Sequence, residues 1–258
     1  MFKRTSWNPE FDAPHNKLQR RLRLLMTEVK FNGVLRTMSL LWSYSKSRTG
    51  LGKKPVRKMG QSWPDKHLDV VDIVKVESLS VSEELRAQAN RYEATPDLEF
   101  RYVLEMLKLD YTQYRFCDYG SGKGGVLAVA ARYPFKHVTG VEFCPDLHAI
   151  AVKNLKRLSK TGTVLATSVT PVLQDAARYK PPAEPHVFYF YNPFKPSILQ
   201  SALDQCQSLA DTVAEQSYIL YKNPVHRDFF DARLGLKKIS EPFGGSWAIY
   251  EIKAPENA

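Results

Sequence analysis

A glycine-rich turn between two apolar segments constrains this chain more than any other feature. Residues 116–125 read FCDYGSGKGG, and the apolar stretch that follows ends in VEF at 141–143. Glycine adopts backbone conformations closed to residues with a Cβ atom, and it lets the main chain approach a ligand closely. The pattern predicts a strand, a tight turn over Gly120, Gly122 and Gly124, a helix, and a second strand ending in an acidic residue.

Two carboxylates accompany this turn. Asp118 lies two residues before the first glycine, and Glu142 ends the second predicted strand. In dinucleotide folds, an acid in the position of Glu142 accepts hydrogen bonds from ribose hydroxyls. Asp118 would repel a pyrophosphate, whereas a nearby cation favours the charged form of an acid. The pair therefore favours a cationic nucleoside cofactor over a phosphate-bearing dinucleotide.

Strand and helix patterns alternate after position 100. The predicted strands span 116–119, 137–143, 170–173, 186–191, 216–221, 236–241 and 247–252, and the predicted helices span 97–109, 124–133, 145–158 and 197–214. Such alternation is typical of a mostly parallel sheet covered by helices on both faces. We therefore expect a three-layer α/β fold with seven strands and a helical N-terminal extension.

The segments DYGSGKGG and GVEF resemble motifs I and II of the class I, Rossmann-like S-adenosylmethionine-dependent methyltransferases. The resemblance covers roughly residues 92–252. It implies a Rossmann-like fold with an antiparallel strand near the C-terminus, because the family has a terminal strand pair that simple dinucleotide folds lack. It implies S-adenosylmethionine, which carries a sulfonium and an ammonium group and no phosphate, as the cofactor. It also implies that the glycine loop packs on the methionine part, that Asp118 holds the amino group and that Glu142 binds the ribose.

The resemblance implies further cofactor contacts at the carboxyl ends of the strands, where ligands bind in open α/β sheets. Asp175, after the third strand, is expected to accept a hydrogen bond from the adenine amine. Tyr92 and Thr95 belong to a segment that often closes over the cofactor. The full predicted set comprises Tyr92, Thr95, Asp118, Gly120, Ser121, Gly122, Gly124, Glu142, Phe143, Asp175, Ala176 and Asn192.

Several of these residues are open to simpler interpretations. Asp175 is a favoured residue type for a helix N-cap. Thr95 would serve as the N-cap of the following helix, with Pro96 in the first turn. Lys123 is expected to be a solvated side chain on the glycine loop, and Tyr189 is expected to be a core residue rather than a substrate contact.

The segment Asn192-Pro193-Phe194 follows the fourth predicted strand. It resembles the (D/N)PP(Y/F) motif of methyltransferases that act on adenine or glutamine amines, although one proline is missing and Phe194 comes one place early. The resemblance implies that Asn192 and the backbone near Pro193 position the acceptor amine and that Phe194 walls it, so the chemistry is mostly positioning. Versions with one or no proline occur among protein-lysine methyltransferases. An amine on a protein is therefore favoured over nucleic-acid and small-molecule acceptors, and a plain turn remains the alternative.

Residues 1–70 carry all of the excess positive charge. They contain 15 Lys and Arg against 5 Asp and Glu, whereas the remaining 22 basic and 22 acidic residues balance in 71–258. We expect 1–70 to form a basic helical arm and linker and 71–258 to form the catalytic domain. The arm either packs on that domain with a solvated basic face, or it contacts nucleic acid or an anionic membrane surface.

The cysteines and the hydropathy of the chain indicate the cellular compartment. Cys117, Cys144 and Cys206 show no metal or redox spacing, and the first two are expected to be small buried residues. No apolar run is long enough to cross a membrane, and the start MFKRTSWNPEFD lacks the apolar stretch of a secretory signal. A cytoplasmic protein, peripheral to a membrane if the arm binds one, fits this pattern.

Two other classes of function are alternatives to a methyltransferase. One is a nicotinamide-dependent oxidoreductase on the same sheet. The other is a non-catalytic cofactor- or partner-binding module that works through its basic arm. The acceptor and the oligomeric state stay open at this point.

Overall fold

Seven strands form one mixed sheet in the computed structural model, which describes residues 68–70 and 93–253 except 192, 193, 210–212 and 214, together with scattered positions between 22 and 42. The strands are β1 (Arg115–Tyr119), β2 (His137–Glu142), β3 (Val169–Leu173), β4 (His186–Tyr191), β5 (Ser217–Lys222), β6 (Leu236–Ser240) and β7 (Trp247–Ile252). The predicted strands are confirmed, each to within one residue at either end.

The strand order is β3-β2-β1-β4-β5-β7-β6. The first five strands pair in parallel, whereas β7 runs antiparallel to both of its neighbours, β5 and β6. The predicted seven-stranded, mostly parallel α/β sheet with an antiparallel C-terminal strand is therefore confirmed.

The helices of the described α/β region are α1 (Asp97–Met106), α2 (Gly125–Ala130), α3 (Pro145–Leu158), α4 (Pro196–Gln207) and α5 (Arg227–Asp231). The prediction for α3 is confirmed at both ends, and Pro145 occupies its first turn, where the missing N–H costs no hydrogen bond. The short helix α5 was not predicted.

Three predicted helices end early, each for a local reason. After α1, Lys108 adopts a left-handed φ of 49°, which stops the helix. After α2, Pro134 disfavours a helical conformation at Tyr133. After α4, the Ser208 hydroxyl donates a hydrogen bond to the Gln205 carbonyl at 2.9 Å, which competes with continued helix.

The two faces of the sheet carry separate apolar cores. On one face α1 and α2 pack over a cluster that includes Phe100, Phe116 and Trp247. On the other face α4 and α5 pack over a cluster that includes Phe190 and Tyr250. Successive residues of a strand point to opposite faces, so Tyr189 joins the first core and Phe190 the second. The prediction that Tyr189 is a core residue is confirmed.

The cysteines are buried, free thiols. Burial raises the pKa of the Cys117 thiol well above its ordinary value, so this side chain behaves as a small apolar residue. Within the described residues, no group of three or more His, Cys, Asp or Glu side chains is arranged to hold a metal ion. No helix among them has the length and hydropathy required to cross a bilayer.

Candidate active site

The sheet reverses its winding direction between β1 and β4. The chain passes from β1 outward to β2 and β3 on one side, and then returns to place β4 and β5 on the other side. In open α/β sheets, ligands bind at such a switch point, beyond the carboxyl ends of the strands. Asp118 of β1 and Tyr189 of β4 are register partners next to this point. The fold therefore places the candidate site beside Asp118.

The glycine loop after β1 has the backbone conformation that its sequence requires. Gly120, Gly122 and Gly124 have φ values of 83°, 52° and 77°, all in the left-handed region that favours glycine. The amides of Gly120 and Ser121 both donate to the Val141 carbonyl, at 2.9 and 3.0 Å. These bonds fasten the loop to the end of β2. Ser121 is buried beneath the loop.

A glycine that the sequence analysis did not single out also supports this loop. A Cβ atom at Gly140 would lie 2.4 Å from Leu127 Cδ1 and 2.7 Å from both Ser121 Cβ and Ser121 Oγ. The loop and α2 therefore rest directly on the backbone of β2. A glycine inside the apolar strand HVTGVE was the available signal, because glycine in a strand often marks such a close approach.

Asp118 is a buried carboxylate, only 3% exposed. Among the described residues, no group donates a hydrogen bond to it. Burial raises its pKa well above the ordinary value for an aspartate, and the charge of Glu142 adds to the effect. A buried carboxylate without a compensating partner is costly. Its ionised form would be stabilised by a cation bound at the switch point.

Glu142 is also buried, and it braces the glycine loop. One of its oxygens accepts from the Gly122 amide at 2.8 Å, and the other accepts from the Cys144 amide at 2.9 Å. Burial raises its pKa, and these backbone hydrogen bonds partly oppose the shift. The Phe143 amide is a third backbone donor to this carboxylate. A carboxylate has about four acceptor sites, so a position remains for a ribose hydroxyl. Phe143, the next residue, is half-buried.

Asp175 lies just beyond β3, beside the end of β2. The Gln174 amide donates to the Glu142 carbonyl at 2.9 Å, which ties the two segments together. One Asp175 oxygen accepts from the Ala177 amide at 2.9 Å, as in a local cap, and Ala176 is buried. No helix begins after Asp175, so this bond caps a turn and the alternative of a helix N-cap is wrong. The contact to adenine stays a prediction.

Thr95 connects the start of α1 to β4. Its hydroxyl lies 2.7 Å from the Tyr189 hydroxyl, and both side chains are buried. Pro96 is the N-cap residue of α1, and no side chain caps this helix, so the alternative of Thr95 as its N-cap is wrong. The reason is the hydrogen bond to Tyr189, which turns the threonine hydroxyl toward the sheet. Tyr92 lies outside the described residues.

The predicted acceptor segment is described only at its last residue. Asn192 and Pro193 lie outside the described residues. Phe194 is buried in the core cluster that includes Phe190 and Leu199 of α4. In sequence the segment follows the carboxyl end of β4, which pairs in parallel with β1, the strand of Asp118. The positioning of an acceptor by these three residues stays a prediction.

A buried charged cluster lies at the carboxyl end of β5, at the end of the sheet that carries Asp118. The Lys222 ammonium, at the end of β5, donates to Glu99 of α1 at 2.7 Å. The Trp247 indole N–H donates to the same carboxylate oxygen at 3.1 Å. This cluster was not predicted from the sequence. The only local signal was a lone basic residue at the end of the apolar strand SYILYK.

The expectation that Lys123 is solvated is wrong. This side chain is buried, and its ammonium lies 2.9 Å from a carboxylate oxygen of Asp69. The loop residue therefore points away from solvent and toward a segment that precedes the α/β fold.

Comparison with known proteins shows remote similarity only. No protein-family model and no curated protein sequence matches the chain. Among solved structures, it is similar to a magnesium protoporphyrin IX methyltransferase from Synechocystis PCC 6803 with bound SAM, at 15% identity over 60% of this chain and 77% of that chain, with a TM-score of 0.43. It is also similar to a putative methyltransferase from Escherichia coli, at 19% identity over 62% and 88% of the two chains, with a TM-score of 0.46.

A third similar structure is an RNA methyltransferase from Salinibacter ruber in complex with S-adenosyl-L-homocysteine, at 20% identity over 64% and 95% of the two chains, with a TM-score of 0.37. The fold assignment rests on the strand order of this chain. A parallel β3-β2-β1-β4-β5 sheet extended by an antiparallel β7 and by β6 is the Rossmann-like fold of the class I methyltransferases. The resemblance found in the sequence is thus confirmed for the fold.

Proposed function

We propose that the protein is an S-adenosylmethionine-dependent methyltransferase. The observation that carries this proposal is the Asp118 carboxylate, which is buried beside the glycine loop at the switch point and has no hydrogen-bond donor among the described residues. A pyrophosphate there would face two carboxylates, Asp118 and Glu142, and the charge of Glu142 already raises the pKa of Asp118. An ammonium group would instead favour the ionised form of Asp118. The residues present therefore fit this cofactor better than a nicotinamide dinucleotide.

The chain's own residues would bind and orient the two reactants. Asp118 would accept hydrogen bonds from the amino group of the cofactor, Glu142 from its ribose and Asp175 from its adenine. The left-handed glycines allow the main chain to approach the methionine part closely. When bound, S-adenosylmethionine supplies an electrophilic methyl group on its sulfonium. Holding an acceptor in line with that methyl group accounts for most of the catalysis expected of the protein.

The acceptor that we propose is an amine, with a protein side chain favoured. Support comes from the sequence Asn192-Pro193-Phe194, which directly follows β4, and β4 is the parallel neighbour of β1, the strand of Asp118. Asn192 and the adjoining backbone would accept hydrogen bonds from the amine and orient its lone pair. Nucleic-acid and small-molecule acceptors are the alternatives, as is a non-catalytic module that binds a cofactor or partner.

Calorimetry tests the cofactor assignment. Wild-type protein is titrated with S-adenosylmethionine and, separately, with NAD, and the Asp118→Asn and Glu142→Gln variants are titrated in the same way. We expect S-adenosylmethionine to bind the wild type and to bind each variant about ten- to a hundredfold more weakly, because each loses a charged acceptor. Binding of NAD without S-adenosylmethionine would overturn the assignment.

Transfer of a tritiated methyl group tests the acceptor. A lysine-rich peptide mixture, total RNA and a metabolite extract are offered separately to wild type and to Asn192→Ala. Label in the peptide fraction that is lost in Asn192→Ala supports a protein amine. Label in another fraction selects that alternative. Cofactor binding without transfer to any fraction favours the non-catalytic module. Combined replacement of Arg20, Arg21 and Arg23, three basic residues of the predicted arm 1–70, should then inactivate it.

A further inference from the structure

A short segment that precedes the α/β fold packs behind the glycine loop. Leu68 and Val70 are buried, and they contact Ala128 of α2, Ala131 just after it and Leu158 of α3. Burial of branched apolar side chains is favourable. The segment 68–70 is therefore docked on the catalytic fold by its own apolar residues.

The side chain of Asn154 joins this segment to the loop. It lies on α3 and is fully buried. Its carbonyl oxygen accepts from the Asp69 amide at 3.0 Å, and its amide nitrogen donates to the Asp69 carbonyl at 2.9 Å and to the Lys123 carbonyl at 2.9 Å. One asparagine thus pairs with the backbone of Asp69 as a neighbouring strand would, and it holds the glycine loop through Lys123.

A second link runs through side chains. The Lys123 ammonium lies 2.9 Å from the Asp69 carboxylate, and the Lys123 side chain is 5% exposed. Lys123 stands between Gly122 and Gly124, which both have left-handed φ values. Its carbonyl is fixed by Asn154 and its ammonium by Asp69. The residue at the centre of the loop is therefore held at both its backbone and its side chain.

We propose that the segment 68–70 is a positioning element that holds the glycine loop in its ligand-binding conformation. Asp69 acts through Lys123 and touches no ligand itself. Because the segment lies outside the α/β fold, the region of the chain before the fold then contributes to affinity for the cofactor. The consequence for affinity rests on the proposed function, whereas the ordering of the loop does not.

Two variants of Asp69 and one matched control test this proposal. Asp69→Ala removes the partner of the Lys123 ammonium, and Asp69→Glu retains a carboxylate. The control is Glu184→Ala, which removes the carboxylate bonded at 2.6 Å to Arg115, at the amino end of β1 and away from the site. Hydrogen exchange of amides 120–125 in the cofactor-free proteins reports loop order, and titration with S-adenosylmethionine reports affinity.

We expect Asp69→Ala to speed exchange at 120–125 and to weaken binding of S-adenosylmethionine about fivefold or more, since loss of a partly exposed ion pair is worth about 1 kcal/mol. Exchange in β1 and β4 should stay at the wild-type rate. Asp69→Glu should restore most of the loss, and Glu184→Ala should change neither readout. If Asp69→Ala perturbs the whole fold, the isosteric Asp69→Asn takes its place.

The two proposals fail in different ways. Wild-type exchange and wild-type affinity in the Asp69 variants overturn the positioning role and leave the cofactor assignment intact. A wild-type protein that does not bind S-adenosylmethionine, but whose loop exchanges faster in Asp69→Ala, overturns the proposed function and supports the positioning role.

Discussion

The Lys222 ammonium and the Glu99 carboxylate lie 2.7 Å apart, and both side chains are buried at the edge of the sheet that carries the candidate site. The pair connects α1 to the end of β5. Trp247 of β7 donates to the same Glu99 oxygen, and the lysine ammonium also lies 5.2 Å from the centre of its indole ring. Three elements that are distant in sequence thus meet at one carboxylate.

Replacement of this lysine alone should be strongly destabilising. Lys222→Met leaves the Glu99 charge buried without its cation, and loss of one member of such a pair costs about 3–5 kcal/mol of unfolding free energy. The double variant Lys222→Met/Glu99→Gln should recover more than half of that loss, because it removes the buried charge and keeps an acceptor for Trp247. Urea denaturation measures both.

The matched control for Lys222 is Lys238, whose ion pairs with Asp231 and Glu241 are about one-third exposed. Lys238→Met should cost about 1 kcal/mol or less. A similar cost for the two lysine variants would contradict the importance of burial.

Binding of the proposed cofactor should release protons through Asp118. Its pKa in the cofactor-free protein is raised, so the carboxyl holds a proton at pH values where an ordinary aspartate is ionised. A bound ammonium group favours the ionised form, so affinity should rise with pH from the ordinary aspartate value up to the raised one. Calorimetry in two buffers of different ionisation enthalpy measures the released protons. If Asp118→Asn releases as many protons as the wild type, the protons come from another group. Glu142→Gln would then be the next variant to measure.

The same raised pKa predicts how Asp118 affects stability. The unfolded chain ionises this group at lower pH than the folded protein, so Asp118 lowers the stability of the cofactor-free fold progressively as pH rises through that window. Asp118→Asn should therefore have a higher melting temperature than wild type at neutral pH, with the difference vanishing in acid. Thermal unfolding across pH, without cofactor, tests this sign. A lower melting temperature at neutral pH would contradict it.

Gly140→Ala should be more destabilising than another glycine replacement that lacks a close neighbour. A methyl group at Gly140 would overlap Leu127 and Ser121, and such overpacking typically costs about 1–3 kcal/mol or more. Gly162→Ala is the comparison, because its φ of 66° is strained for alanine but no atom lies within 4 Å of the new methyl group. That strain is worth about 1–2 kcal/mol. Chemical denaturation of both variants gives the two losses of unfolding free energy. Cofactor titration of Gly140→Ala then shows whether the new methyl group displaces the glycine loop.

Thr95 and Tyr189 should be energetically coupled through the hydrogen bond between their hydroxyls. Thr95→Val and Tyr189→Phe each leave the hydroxyl of the other residue buried without its partner. Each should lower the free energy of unfolding by about 1–3 kcal/mol. The double variant should cost less than the two single variants combined, since neither unpaired hydroxyl then remains. A double-mutant cycle from denaturation curves gives the coupling energy. Strict additivity would show that the 2.7 Å contact does not contribute to stability.

The strands were predictable because their information is local. Runs such as HVFYFY are apolar, rich in aromatic residues and bounded by turn residues, and both boundaries of β4 follow from that pattern. The glycine loop was predictable for the same reason, because Gly120, Gly122 and Gly124 signal positive φ values directly. Helix ends depended on weaker local competition, as at Ser208, and were placed less well.

The buried ion pairs near the candidate site could not be predicted from local sequence pattern. Glu99 meets Lys222 and Trp247 across 123 and 148 positions of sequence, and Asp69 meets Lys123 across 54. A lysine beside a glycine loop has no local feature that indicates burial. Its partner lies in a basic region whose charge pattern predicts solvent exposure, so tertiary structure alone reveals the pair.

The position of β7 has a consequence for biosynthesis. This strand lies between β5 and β6, and β6 pairs with no other strand among the described residues. When a ribosome has released the chain only as far as β6, the apolar edge of β5 still lacks its neighbour, and Glu99 still lacks Trp247. An unpaired apolar edge is a template for association with other chains. The edge of β5 therefore stays unpaired in the nascent protein until residue 252 has emerged. Only then can Glu99 have both of its partners, Lys222 and Trp247.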